Sequence, residues 1–128
     1  MTPHVANRWA KAELSLEQAN RMSPEELPEP TIHAAYYAML HAATAVLLDR
    51  TGSAPKTHSS TIGQFSHLVR DDDLGKTLAR EFNLAERVRL TADYNDRIRP
   101  TVEEAAELRK TAIDFVAYCR SLLEPPPR

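Results

Sequence analysis

The segment from about Thr31 to Asp49 constrains the fold of this 128-residue chain more than any other stretch. Large apolar side chains recur there at spacings of three and four, and a set of alanines lies on a different side of the same helix. The apolar stripe comprises Ile32, Tyr36, Met39, Leu40, Ala43 and Leu47, and the alanines are Ala34, Ala38, Ala42 and Ala45. Because a helix that is apolar on several sides must be covered on several sides, this pattern predicts the central helix of a bundle.

The other apolar patterns predict further helices and no strand. They span residues 5–22, about 60–70, 74–98 and 101–123. Only three glycines interrupt a chain rich in alanine, which favours helices over a sheet. Short links between long helices favour antiparallel neighbours. The fold class predicted from sequence is therefore all-α, an up-and-down bundle of four to five helices.

Several residues predict where these helices begin and end. Residues 23–26, Ser-Pro-Glu-Glu, resemble a helix cap with proline at the first helical position, and residues 27–30 should interrupt any regular helix. Gly52 fits the end of the central helix. Thr101, followed three residues later by Glu104, predicts a capping box at the start of the last helix.

Length and composition set the class of protein. The chain suits one domain at residues 1–123, with the proline-rich residues 124–128 as a disordered tail. Cys119 is the single cysteine, so an internal disulfide is impossible and a reducing cytoplasm is expected. We expect no membrane partner, because no apolar run approaches a span and the N-terminus lacks a signal pattern. The net charge of −2 argues against binding nucleic acid by bulk charge.

Polar side chains line a late helix where a bundle helix is usually apolar. Arg87 and Tyr94 are seven residues apart and lie on nearly the same helix face, and Arg80 continues that stripe. One hypothesis is a groove that grips a phosphate or an RNA backbone, since the planar arginine fork donates two parallel hydrogen bonds. The alternative is a solvated face in which Arg87 pairs with a carboxylate such as Glu86, Asp93 or a residue on another helix.

The histidines form a second group. His33, Tyr37 and His41 follow one another at spacings of four, and imidazole is the natural general acid or base near neutral pH. Their alternative role is structural. Lys56 and His58 flank a predicted helix start that could hold an anion or simply cap the helix. No metal-ligand spacing and no glycine-rich phosphate loop occurs, so the sequence predicts neither metal nor cofactor.

Residues 87–94 resemble the signature segment of the HEPN domains, helical bundles whose pattern runs roughly Arg-Asn-x-Leu-x-His-x-Tyr. Arg87, Leu90 and Tyr94 match that pattern. Ala92 stands where the ribonuclease members of the family carry a histidine.

Two further segments resemble one prokaryotic branch of the same family. Residues 34–43 are similar to its Tyr-Tyr-Ala-Met-Phe-His-Ala-Ala helix, and residues 56–59 with Phe65 are similar to its segment after the loop. Residues 89–94 match its Arg-x-x-Ala-Asp-Tyr block. Together the resemblance extends from about residue 8 to residue 123.

The resemblance implies a dimeric HEPN-like bundle that is often partnered with a small nucleotidyltransferase in a toxin–antitoxin-like pair. In the ribonuclease members, four to six residues separate an arginine from a catalytic histidine, and no arginine of this chain has a histidine at that spacing. Alanine cannot transfer a proton, so this mechanism does not carry over through Ala92. Tyr94 corresponds in position to a tyrosine that receives nucleotide groups in partnered members.

Three functional hypotheses follow. The first is a dimeric binding or accessory protein beside a nucleotidyltransferase. Its predicted nucleotide- or RNA-binding residues are Lys56, His58, Arg87, Arg89, Asp93 and Tyr94. The second is an RNA-cleaving enzyme with a non-standard base, for which Arg87, His41 and His58 are the catalytic candidates. The third is a helical interaction module without a ligand.

Overall fold

A computed structural model describes residues 1–123 of the chain. The predicted tail at residues 124–128 lies outside the described residues. Within residues 1–123 there are five α-helices and no strand, which confirms the predicted all-α class. The helices are α1 (Pro3–Arg21), α2 (Pro28–Thr51), α3 (His58–Leu68), α4 (Asp73–Tyr94) and α5 (Val102–Leu122).

Helix α2 lies at the centre of the bundle and contacts all four other helices, most extensively α1 and α5. Its large side chains Tyr36, Met39 and Leu47 are at most 2% exposed. The small side chains of Ala38 and Ala42 are fully buried and let neighbouring helices approach closely. The prediction that this segment is the central helix is confirmed. Burial of each large apolar side chain stabilises the fold by about 1.5–3 kcal/mol.

The expectation that no apolar run approaches a membrane span needs a correction for α2. This helix is long and apolar enough to cross a membrane by length and composition. However, 78% of its apolar window is buried inside the bundle. The apolar surface of α2 is therefore used for packing against the surrounding helices.

A group of aromatic rings joins the C-terminal helices to the centre. Phe115 of α5 lies 4.9 Å from Phe65 of α3 and 5.0 Å from Phe82 of α4, measured between ring centroids. Phe82 in turn lies 6.1 Å from Tyr36 of α2. Aromatic pairs at these separations add about 0.5–1.5 kcal/mol each beyond the area they bury. This packing fixes α3 and α4 against the same part of α2.

Two predicted helix ends are confirmed. Thr101 Oγ1 accepts a hydrogen bond from the Glu104 N–H at 3.0 Å, and Glu104 Oε1 accepts one from the Thr101 N–H at 2.9 Å, forming the capping box of α5. Gly52 ends α2 with a φ of 78°, in the left-handed region where glycine has no steric penalty.

Other predicted boundaries differ from the structure. Pro28 begins α2 instead of interrupting the helix, because the first helical turn needs no N–H from proline. Residues 23–26 form a single turn, in which the Leu27 N–H donates to the Ser23 carbonyl at 2.7 Å. Helix α4 ends at Tyr94, four residues earlier than predicted, because Asn95 Oδ1 accepts hydrogen bonds from the N–H groups of Arg97 and Ile98.

Candidate functional site

Arg89 occupies the centre of a polar cluster between α2, α3 and α4. Its side chain is only 8% exposed. The guanidinium donates to both oxygens of Glu86 at 3.1 and 3.2 Å and to Asp93 Oδ2 at 3.2 Å. It also lies 4.9 Å from the centre of the Tyr36 ring, within the range of a cation–π contact. We call Tyr36, His58, Glu86, Arg89 and Asp93 the Arg89 cluster.

His58 joins this cluster from the first residue of α3. The start of α3 is fixed by Thr57, whose hydroxyl accepts a hydrogen bond from the Ser60 N–H at 3.0 Å. His58 Nδ1 lies 3.1 Å from the Tyr36 hydroxyl and 3.4 Å from Arg89 Nη2. Because a guanidinium can only donate, a hydrogen bond from Arg89 requires an unprotonated Nδ1. His58 Nδ1 also lies 3.8 Å from Glu86 Oε2, so the imidazole contacts both the cation and a carboxylate of the cluster.

The positive charge of Arg89 is compensated by carboxylates within the cluster. Burial alone would lower the pKa of Arg89, but its hydrogen bonds and ionic attraction to Glu86 outweigh that effect and raise the pKa. Burial, followed by the nearby Glu86 carboxylate, raises the pKa of the Tyr36 phenol far above its ordinary range. One cation therefore faces two carboxylates, with the neutral Tyr36 phenol and the His58 imidazole beside them. With histidine counted as neutral, the formal charges of Arg89, Glu86 and Asp93 sum to about −1.

The predicted stripe of His33, Tyr37 and His41 borders the Arg89 cluster. Ring centroids are 4.6 Å apart for His33 and Tyr37 and 5.9 Å apart for Tyr37 and His41. Tyr37 also contacts His58 with a centroid distance of 5.7 Å. His33 Nδ1 lies 3.9 Å from Asp93 Oδ1. His33, Tyr37 and His41 line a groove of about 570 Å³ beside α1.

His41 is the most perturbed histidine of this stripe. Burial lowers its pKa to about 4, and the positive charges of Arg8 and Lys11 contribute further. Its Nδ1 is buried and has no hydrogen-bond partner among the described residues. His41 is consequently neutral at pH ~7, which suits a packed ring better than a proton carrier with a pKa near the working pH.

The structure brings together three of the residues predicted to bind nucleotide or RNA, namely His58, Arg89 and Asp93. The carboxylate pairing that one interpretation assigned to Arg87 is made by Arg89 instead. Sequence reasoning missed Glu86 as a partner of Arg89, although its spacing of three residues on a helix was a usable signal.

The other predicted site residues lie elsewhere. Arg87 is exposed on the outer side of α4 and lines a small cavity of about 140 Å³ with Ile98 and Pro100. Tyr94 is 76% exposed at the end of α4. Lys56 is exposed in the loop before α3.

No metal centre was expected, and the described residues contain no group of three or more histidine, cysteine or acidic side chains that could hold a metal ion. The prediction that no cofactor is required stays a prediction.

The chain is a small all-α domain in which four helices surround the buried helix α2 and an Arg-x-x-Ala-Asp-Tyr block ends α4. The family model described as the HEPN domain matches residues 5–122. The chain therefore belongs to the HEPN family, which confirms the resemblance noted in the sequence.

Relatives of similar size share most of the chain. A UPF0332 protein of Gloeobacter violaceus is 31% identical over 126 residues, which cover 91% of this chain and 99% of the relative. Two proteins of Methanocaldococcus jannaschii bear the name "Putative toxin". One is 32% identical in an alignment that covers 77% of this chain and 67% of the relative. The other is 30% identical in an alignment that covers 88% of this chain and 84% of the relative.

Proposed function

We propose that this chain is the HEPN member of a toxin–antitoxin-like pair and acts by binding a partner protein rather than by cutting RNA. The family membership and the names of the two archaeal relatives support the toxin–antitoxin setting. As the resemblance implies, the proposed form is a homodimer partnered with a small nucleotidyltransferase. The buried, unpaired thiol of Cys119 fits a cytoplasmic location.

The compensated charge of the Arg89 cluster is the observation that carries this proposal. A phosphate ligand needs arginine N–H groups that are free to donate. The two Nη groups of Arg89 donate to Glu86 and Asp93, its Nε is buried, and the side chain is 8% exposed. A phosphate group would have to displace a carboxylate and approach a second one, which like-charge repulsion opposes. Together with Ala92 in the histidine position, this arrangement supports a non-nucleolytic role.

Tyr94 is the residue through which we propose that the partner acts. Its side chain is 76% exposed at the end of α4, so an enzyme can reach the phenol. In the proposed reaction the Tyr94 oxygen attacks the α-phosphorus of a nucleoside triphosphate. A phosphodiester bond forms, pyrophosphate leaves with the electrons of the broken bond, and the phenol proton passes to solvent. Exposed Arg87 lies one heptad earlier on the same face of α4 and can attract the triphosphate.

Intact-mass spectrometry tests this proposal. The chain is co-expressed with a small nucleotidyltransferase encoded beside its gene, purified, and incubated with ATP and Mg²⁺. We expect co-elution of the two proteins and a mass gain of whole nucleotidyl groups on the chain. The Tyr94→Phe variant should lose that gain, whereas the Tyr118→Phe control should keep it. Absence of such a neighbouring gene, or an equal mass gain in both variants, would contradict the proposal.

A second candidate is an RNA-cleaving enzyme that uses His58 as a non-standard base. The observation in its favour is that His58 Nδ1 lies 3.4 Å from Arg89 Nη2, so an imidazole and a guanidinium from distant segments meet. The His58 side chain is 36% exposed and can be reached by a ligand. Incubation of RNA with the wild type, His58→Ala and Arg87→Ala decides the matter. Cleavage that is absent, or equal in all three proteins, ends this candidate.

A further inference from the structure

An open groove separates α4 from α5, although both helices pack on α2. Its floor is apolar and is formed by Leu84, Ala85, Val88 and Leu108, and its volume is about 550 Å³. Leu84 is 54% exposed and lies beside the other apolar groups of this floor, so it forms part of an exposed apolar patch. We call this feature, with the glutamates that border it, the α4–α5 groove.

The groove continues toward the end of α4. A smaller cavity of about 140 Å³ shares Val88 and Glu104 with it and adds Ala92, the 56% exposed Ile98 and the cation Arg87. From Glu81 to Ala92 the helix rises by about 16 Å, or roughly three turns. The apolar strip is therefore as long as the contact surface of a short helix.

The border of the α4–α5 groove is acidic. Glu81 stands on the α4 side, and Glu103, Glu104 and Glu107 stand on the α5 side. No lysine or arginine occurs among the described residues that line this groove. An apolar floor between carboxylates complements a helix with an apolar stripe flanked by lysine or arginine.

We propose that the α4–α5 groove binds a basic amphipathic helix of another protein. The apolar stripe of that helix lies on Leu84, Val88 and Leu108, and its cations face the four glutamates. This surface is separate from the Arg89 cluster and from the exposed Tyr94 phenol. The inference therefore stands whether or not Tyr94 accepts a nucleotide.

A second copy of this chain is a poorer occupant on grounds of charge. A two-fold dimer places the same surface patch of both subunits face to face. Such a dimer through this groove would bring the four glutamates of one copy toward the four of the other. Like charges at a close interface oppose association. The groove thus favours a partner of opposite charge.

Fluorescence anisotropy with designed peptides tests the inference on the full chain. The probe is a fluorescein-labelled helical peptide of about 18 residues, or five turns, with leucine on one face and lysine beside it. Its twin carries glutamate in place of lysine. We expect the lysine peptide to bind and the glutamate peptide not to bind. High salt should weaken the binding, because the ion pairs are exposed.

Charge reversals show whether the peptide uses this groove. The double variant Glu103→Lys, Glu107→Lys should weaken binding about ten-fold or more, since two attractive pairs become repulsive. The control Glu26→Lys, Asp114→Lys makes the same change of net charge at two exposed positions outside the groove and should leave affinity within about two-fold. A third variant, Leu84→Gln, keeps every charge and should also weaken binding, so the test does not depend on the folding of one protein.

Three results would overturn the inference. One is equal weakening by both charge reversals, which would mean attraction to the net charge alone. Another is unchanged affinity in both Leu84→Gln and the groove reversal, each shown to be folded by circular dichroism. The last is a difference in the number of subunits between the Leu84→Gln variant and the wild type in sedimentation, which would show that the groove binds a second copy of this chain.

Discussion

Replacement of Arg89 by methionine separates a structural role of the Arg89 cluster from a ligand-binding role. Methionine keeps an unbranched apolar stem over the Tyr36 ring but removes the cation that compensates Glu86 and Asp93. Breaking a buried ion pair by removing one partner costs about 3–5 kcal/mol. Here Glu86 is 16% and Asp93 32% exposed, so both carboxylates regain some hydration and the cost is reduced. We therefore expect Arg89→Met to lower the free energy of unfolding by about 3 kcal/mol.

Urea unfolding monitored by circular dichroism measures this change, at one protein concentration so that any self-association is held constant. For a domain of this size, such a loss lowers the Tm by about 10 °C. The matched control is Arg87→Met, two residues away on the exposed side of α4, which should stay within about 0.5 kcal/mol of the wild type. Equal stability of the two variants would refute a structural role for the cluster. A double-mutant cycle with Glu86→Gln should show a coupling energy of about 1 kcal/mol or more.

Two further predictions concern stability. A Cβ at Gly75 would lie 2.5 Å from the Tyr118 hydroxyl and 2.6 Å from a neighbouring side-chain carbon, so Gly75→Ala should destabilise the fold by about 1–3 kcal/mol in urea unfolding. A Cβ at Gly63, inside α3, would meet nothing within 4 Å, so Gly63→Ala should be neutral or stabilise the fold by up to about 1 kcal/mol. A Gly75→Ala variant more stable than Gly63→Ala would contradict this packing. The pKa of His41 is about 4 in the folded protein and about 6.5 in the unfolded chain, so the unfolded chain binds a proton more readily. The free energy of unfolding is therefore highest above pH ~6.5 and decreases as the pH falls toward 4. Between pH ~7 and pH ~5 the His41 contribution should fall by about 1 kcal/mol, discounted for its partly exposed ring, and His41→Gln but not His67→Gln should remove that dependence.

The sequence predicted the features of the fold that depend on local pattern. The apolarity of α2 on several sides identified the central helix, because any such helix must be covered by others. Thr101 and Glu104 identified a helix start, because the capping box is complete within four residues. Pro28 was misread because a proline can either break a helix or occupy its first turn, and here it begins α2.

The candidate site was harder to predict, because it depends on which side of α4 faces inward. The family resemblance drew attention to Arg87, yet Arg89 continues the buried side chains Leu78, Phe82 and Ala85 at spacings of four, three and four. That spacing was a usable signal for a buried arginine. The contribution of Tyr36 and the approach of His58 depend on contacts between distant segments, which no local pattern contains.

The central position of α2 has a consequence for the synthesis of the protein on the ribosome. About fifty residues separate the end of α2 from the start of α5, one of its two main neighbours. At roughly 5–20 residues per second, synthesis of that stretch takes several seconds. During this time a helix with the length and apolarity of a bilayer span lacks a large part of its final covering. The nascent chain is thus a natural client for factors that shield apolar segments from aggregation or misdirected insertion until the last helix emerges.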